Sequence, residues 1–258
     1  MRTKSELVVP LRLVTQTGLT PASAGVRTAA PERAAQAPGP GAERDLSVLE
    51  PLAGLEEAAV AGSGGVAAGL GLWLARLSLK GVSQRLVAVV SPRAWLSERG
   101  RLFARGALRF GVPPERLLVV RTRTEADALW ALEEILRAGA ADLAIGAVEG
   151  ASLTQTRRLD MAAREAGSAA GLIRVGSGEG LSAARRRWRV TALPSAADPW
   201  DPRAPGSPRW RAELVRRRDG PPGCWEVEWN HETHRLHLAE GLAGDGLGQT
   251  ARQVAAAG

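Results

Sequence analysis

Apolar residues in the middle of the chain fall into short unbroken runs separated by stretches of helical period. Leu55–Ala61, Arg85–Ser91, Leu117–Arg121, Asp142–Val148 and Ala170–Val175 read as strands buried on both faces. Helices are expected between them: one from the glycine-rich turn at Gly62–Gly65 to about Ser78, then Arg99–Phe110, Thr124 to about Ala138, and Ser152–Ala166. Thr124 has Asp127 three residues on, the spacing of a capping box. Apolar strands alternating with helices of this length predict a parallel sheet with covered faces.

After residue 180 the period drops to two. Trp188, Val190 and Ala192 alternate with Arg187, Arg189 and Thr191; Trp210, Ala212 and Leu214 with Arg209, Arg211 and Glu213; Trp225, Val227 and Trp229 with Glu226 and Glu228. One apolar and one polar face predict an antiparallel meander packed on the core through its tryptophans. The turn Asp219–Gly223 joins its last two strands, and the proline-rich segment Pro194–Pro208 is its long connection. The expected fold class is therefore α/β: a mostly parallel sheet extended by a C-terminal antiparallel β-meander. Residues 1–45 read as a flexible arm, because the run Ala37–Gly41 (APGPG) supports no regular element. Within that arm only Leu7–Val14 suits a short strand or a docking segment. Residues 239–258 read as a loose tail. That leaves 46–238 as one domain, with 184–238 as its β extension.

Composition changes this picture little. The 258 residues are 45% hydrophobic, enough for a substantial core. The net charge of +7 is carried almost wholly by arginine, since lysine occurs only at Lys4 and Lys80, and it favours acidic partners. A single cysteine, Cys224, excludes an internal disulfide framework and fits a reducing compartment. The longest apolar run, near Val66–Leu77, is broken by glycines and by Arg76, so no membrane span is expected. A cytoplasmic location follows, with no membrane partner.

Candidate chemistry begins at the strand–turn–helix unit around Gly62, Ser63, Gly64 and Gly65. This is the setting in which backbone N–H groups and a helix N-terminus face a phosphate. A working nucleotide loop also needs a lysine and a Ser/Thr hydroxyl just inside the helix. Val66, Ala67, Ala68 and Gly69 occupy those places. The nearest cation on the helix, Arg76, falls roughly 16 Å along the axis from Gly65. The turn is either a degenerate phosphate loop or a tight turn that brings helix and sheet together; weak nucleotide binding stays open. Glu149, after the run Asp142–Val148, stands where a second acidic motif would hold Mg²⁺. His231, His234 and His237 recur every third residue, which scatters them over both faces of a strand and argues against a metal site.

Arg185, Arg187, Arg189, Arg209 and Arg211 share one face of the expected meander. They either neutralise nucleic-acid phosphates or pair across strands with Glu213, Glu226 and Glu228. Trp130 lies roughly 100–160° from the apolar stripe of its helix at 100° per residue, so it either packs on a neighbouring element or anchors a partner.

Four blocks carry a family resemblance: Asp127–Glu134 (DALWALEE), Leu153–Glu165 (LTQTRRLDMAARE), Arg185–Ser195 (RRRWRVTALPS), and Pro208–Leu214 (PRWRAEL) followed by Trp225–Trp229. Across about residues 46–238 the chain resembles the ImuA family, RecA-like accessory proteins of bacterial damage-inducible mutagenesis. The resemblance implies a RecA-like, P-loop-type core and a role in SOS-induced translesion synthesis. It also implies work beside an inactive Y-family polymerase homologue and an error-prone C-family polymerase, with RecA and single-stranded DNA as further candidate partners. On this reading the protein is a non-catalytic adaptor without a cofactor. The alternatives are a divergent RecA-superfamily ATPase and a SulA-type division inhibitor.

Overall fold

The computed structural model describes residues 45–239 except 62, 63, 82, 101, 177–179, 199, 202 and 219. The arm, apart from its last residue, and the tail beyond Ala239 lie outside the described residues. The elements in chain order are β1 (Gly54–Val60), α1 (Gly65–Arg76), β2 (Leu86–Pro92), α2 (Arg93–Arg99), α3 (Ala104–Leu108), β3 (Leu117–Thr122) and α4 (Glu125–Arg137). They continue with β4 (Ala141–Ala147), α5 (Leu153–Glu165), β5 (Ala169–Val175), β6 (Arg186–Leu193), β7 (Arg209–Arg217), β8 (Gly223–Asn230) and β9 (Arg235–Leu238).

These strands form one nine-stranded sheet in the order β3-β2-β4-β5-β1-β6-β7-β8-β9. β1 to β5 are mutually parallel, as their unbroken apolar runs require. α1 covers one face, over a core of Ala58, Val60, Leu72, Trp73, Trp188, Trp210 and Trp229. α4 and α5 cover the other, over Leu55, Ala88, Leu132, Leu159 and Leu172. The Thr124 side chain accepts from the Asp127 backbone and Asp127 accepts from the Thr124 backbone, closing the expected capping box at the start of α4.

Three features differ from the sequence reading. Of the helix expected over Arg99–Phe110 only the short α3 forms, and α2, which was not expected, precedes it. Gly100 adopts φ +88°, a left-handed conformation that ends α2, and Phe103 is extended before α3 begins. The C-terminal strands do not lie on the core as a separate layer. β6 pairs with β1 in parallel register, Ala58 beside Trp188, and β7, β8 and β9 then extend the same sheet antiparallel. The pairing gives the second edge of β1 its hydrogen-bond partners and carries the tryptophans to the α1 face. The short strand β9 was not expected at all.

An ion pair lies deep inside this core. Glu56 is fully buried on β1, and Arg76, 2% exposed at the end of α1, donates to both of its oxygens at 3.1 and 2.9 Å. The Trp188 indole N–H donates to Glu56, and the guanidinium stands 4.4 Å from the Trp73 ring centre and 4.9 Å from that of Trp188. Low dielectric makes such a pair costly unless every donor and acceptor is used. Here the Arg76 Nε–H meets the Leu49 carbonyl and the Leu52 N–H meets Glu56.

Candidate functional site

The glycine-rich turn joins the carboxyl end of β1 to the amino end of α1. Gly62 and Ser63 lie outside the described residues, whereas Gly64 is the exposed N-cap of α1 and Gly65 its first, buried residue. A Cβ on Gly65 would stand 3.1 Å from the Val60 Cβ, and one on Gly69 would stand 3.0 Å from a Val60 methyl. Both glycines therefore let α1 settle directly on β1. Gly64 differs: no atom lies within 4 Å of where its Cβ would be.

The electrostatics of the turn follow from what fills the first turn of α1: Gly65, Val66, Ala67 and Ala68, with no side-chain cap on the helix. The N–H groups there carry the positive end of the helix dipole. The cations at the far end do not reach back, because Arg76 is held by Glu56 and Lys80 is an exposed residue beyond the end of the helix. Glu149 lies just beyond β4, on the same carboxyl edge of the sheet as the turn, with β5 between their strands. It is exposed, and its backbone N–H donates to Glu125 at 2.6 Å.

A cavity of about 510 Å³ opens beside the start of α1. Its walls come from α1, the carboxyl ends of β2, β4 and β5, the α2–α3 segment, and the beginning of the meander; Leu70, Leu74, Val89, Phe110, Ile145 and Trp210 make it apolar. A crevice beyond the carboxyl ends of parallel strands is the usual ligand position in open α/β sheets. The one charged residue lining it, Arg209, is paired with Glu228, so the cavity suits an apolar group. No sequence signal marked it, since its walls come from eight separate elements.

The candidate nucleic-acid face is present, and its arginines are paired across strands. Arg189 meets Glu213 at 2.9 Å, Arg209 meets Glu228 at 2.6 Å, and Arg211 meets Glu226 at 2.6 Å. The Glu226 hydrogen bond raises the Arg211 pKa above its ordinary value. Arg187 faces buried Glu57 at 3.2 Å and donates to the Gly180 carbonyl at 2.6 Å. Arg185 sits before β6, its N–H on the Leu55 carbonyl at 2.8 Å.

Trp130 is 62% exposed, so of the two sequence readings the packed one does not hold among the described residues. The histidines fall in the β8–β9 turn and on β9, where His231 and His234 stand 6.2 Å from the rings of Phe110 and Trp229. Burial lowers the His231 pKa below its ordinary value. Among the described residues no three His, Cys, Asp or Glu side chains are grouped to hold a metal ion, and no helix is long and apolar enough to cross a membrane.

Fold and site together define an α/β protein with a mixed nine-stranded sheet, in which β1 leads to a helix whose first turn, Gly65–Ala68, carries no charged side chain. The chain belongs to the ImuA family. It is 36% identical over 181 residues to Protein ImuA from two strains of Caulobacter vibrioides, a match that covers 64% of this chain and 71% of each relative. Among solved structures, it is similar to SulA from Pseudomonas aeruginosa with 25% identity and a TM-score of 0.37, over 47% of this chain and 98% of that one. No family model matches the chain.

Proposed function

We propose that this chain is a non-catalytic, cytoplasmic accessory protein of damage-induced, error-prone translesion synthesis. On this reading it is a RecA-like scaffold with a degenerate phosphate loop, acting as adaptor for an inactive Y-family polymerase homologue beside a C-family polymerase. RecA and single-stranded DNA are further candidate partners. Membership of the ImuA family supports the biological setting. The observation that carries the adaptor reading is the uncharged first turn of α1, with its nearest helical cation held by Glu56 in the core. A triphosphate seated there meets a helix dipole worth only about 0.3–1 kcal/mol and, in the first turn Gly65–Ala68, neither an ammonium group nor a hydroxyl for Mg²⁺. Exposed Trp130 fits the role, because tryptophan is among the residues that most often anchor protein interfaces.

Titration calorimetry of the full chain with Mg-ATP tests the reading. The expected result is no saturable heat and no ATP turnover. Clear affinity or turnover that Gly64→Asp abolishes would replace the adaptor with an ATPase.

A further inference from the structure

We propose that this protein pairs with a second copy of itself, each chain seating its Trp200 in the apolar cavity beside the partner copy's α1. The inference goes beyond the adaptor reading and rests on a knob and a hole that lie side by side on one chain.

The knob is the connection between β6 and β7. Its two arms are tied by Ala196 N–H to the Ser207 carbonyl at 2.9 Å, by Gly206 N–H to the Ala196 carbonyl at 3.2 Å, and by an antiparallel bridge between Ala197 and Pro205. A Cβ at Gly206 would overlap the Ala196 carbonyl oxygen, so the arms close only with glycine there. At the tip, one Asp198 carboxylate oxygen accepts from the N–H groups of both Trp200 and Asp201, each at 2.9 Å. The segment is thus a hydrogen-bonded tongue, and its Trp200 is 90% exposed. The hydrogen bonds among its described residues lower the ordering cost of docking the indole.

The hole is the apolar cavity. It contains one unmet polar group: Ser91, 1% exposed at the carboxyl end of β2, has a hydroxyl oxygen with no hydrogen-bond partner. A buried hydroxyl left unpaired costs about 1–3 kcal/mol. The complementary occupant is a large apolar body with a single N–H donor, the chemistry of an indole. The described chain exposes two such groups, Trp130 and Trp200, and Trp130 belongs to α4 on the opposite face of the sheet. Charge agrees: Asp198 and Asp201 flank Trp200, while Arg209 lines the cavity and the bordering helices α2 and α3 expose Arg93 and Arg105. Phe103, 68% exposed on that wall, would be covered by an arriving tongue.

Adjacency sets the symmetry. The tongue's two feet, Ser195 and Pro208, themselves line the cavity. A knob beside a hole is satisfied twice by a twofold axis, giving a closed pair rather than a filament.

Sedimentation velocity on the full chain from about 1 to 100 μM should show a concentration-dependent dimer. Trp200→Ala, at an exposed site, should raise the dissociation constant about thirtyfold or more. Ala67→Arg, which blocks the cavity from an exposed position of α1, should do the same, and Ser91→Ala should weaken pairing by a smaller factor. Mixing Trp200→Ala with Ala67→Arg should restore a one-sided heterodimer, because one chain keeps the hole and the other the knob. A wild-type chain that stays monomeric, including one whose tongue closes over its own cavity, overturns the proposal. So does a dimer indifferent to Trp200→Ala.

Discussion

Glu56 and Arg76 occupy positions that a pattern of apolar runs assigns to the core, and each is tolerable only because of the other. Glu56 accepts from Arg76, Trp188 and the Leu52 backbone, so its negative charge is spread over several donors. Replacing Arg76 by methionine keeps most of the volume and strands the carboxylate. Urea unfolding should report a loss of about 3–5 kcal/mol, and the double variant Glu56→Leu/Arg76→Met should recover much of it. His231 makes a prediction of opposite character, in pH. Burial is the main cause of its lowered pKa, aided by the nearby charges of Arg109 and His234 and opposed by a hydrogen bond to the Arg109 carbonyl. The folded state therefore prefers the neutral ring. That contribution is complete above the ordinary value of 6.5 and is lost as pH falls through the lower folded value. A plot of Tm against pH should drop on its acid limb, and His231→Gln should flatten that part of the drop.

Among the elements, β6, β7 and β8 show what alternation in a sequence does and does not reveal. The tryptophan face and the arginine–glutamate face were both legible, because period two assigns faces without knowledge of partners. The sequence left two readings of the arginines open, and register supplies the cross-strand partners of one: Arg211 stands opposite Glu226, Arg209 opposite Glu228 and Arg189 opposite Glu213. The exposed Arg189 and Arg211 pairs are worth about 0–1 kcal/mol each, so phosphates can still compete for those guanidinium groups. If this face binds single-stranded DNA, Arg187→Ala, Arg189→Ala and Arg211→Ala together should weaken it and flatten the dependence of log K on log salt by about 0.7 per lost contact. An unchanged slope removes this face from any DNA site. Other element-level features could not be read along the chain. The break between α2 and α3 depends on a left-handed Gly100, and α1 carries glycines where Val60 and Trp210 approach too closely for a side chain. The apolar cavity and the tongue are likewise products of which elements meet. Gly62–Gly65 was legible as a turn, and the described part of it shows two demands: Gly65 answers to packing, Gly64 to none that the fold imposes.

At the scale of the whole molecule, the change of period near residue 180 invites division into a parallel core and an antiparallel appendage, and the packing argues against it. β6 is the only neighbour β1 has on its second edge, and β1 carries both Glu56 and the turn leading to α1. The face of α1 that looks toward the meander is shaped for it, with Gly71 placed where a Cβ would stand 3.0 Å from Trp210. Trp188, Val190, Trp210, Leu214, Trp225 and Trp229 belong to the same buried cluster as Trp73 and Leu72. Large apolar side chains contribute about 1.5–3 kcal/mol each when fully buried. Losing six of them removes as much as the whole margin of about 5–15 kcal/mol that holds a typical domain folded. Removing the meander also takes the Trp188 donor from Glu56. A fragment of residues 45–183 should therefore fail to unfold cooperatively and should bind hydrophobic dyes, while the full chain unfolds in one transition with coincident tryptophan fluorescence and circular dichroism. Two separated transitions, or a fragment that melts cooperatively by itself, would make the meander a module added to a self-sufficient core. One transition makes the nine strands a single folding unit, in which a change on the arginine face of β7 reaches the glycine turn through the strand pairing of β6 and β1.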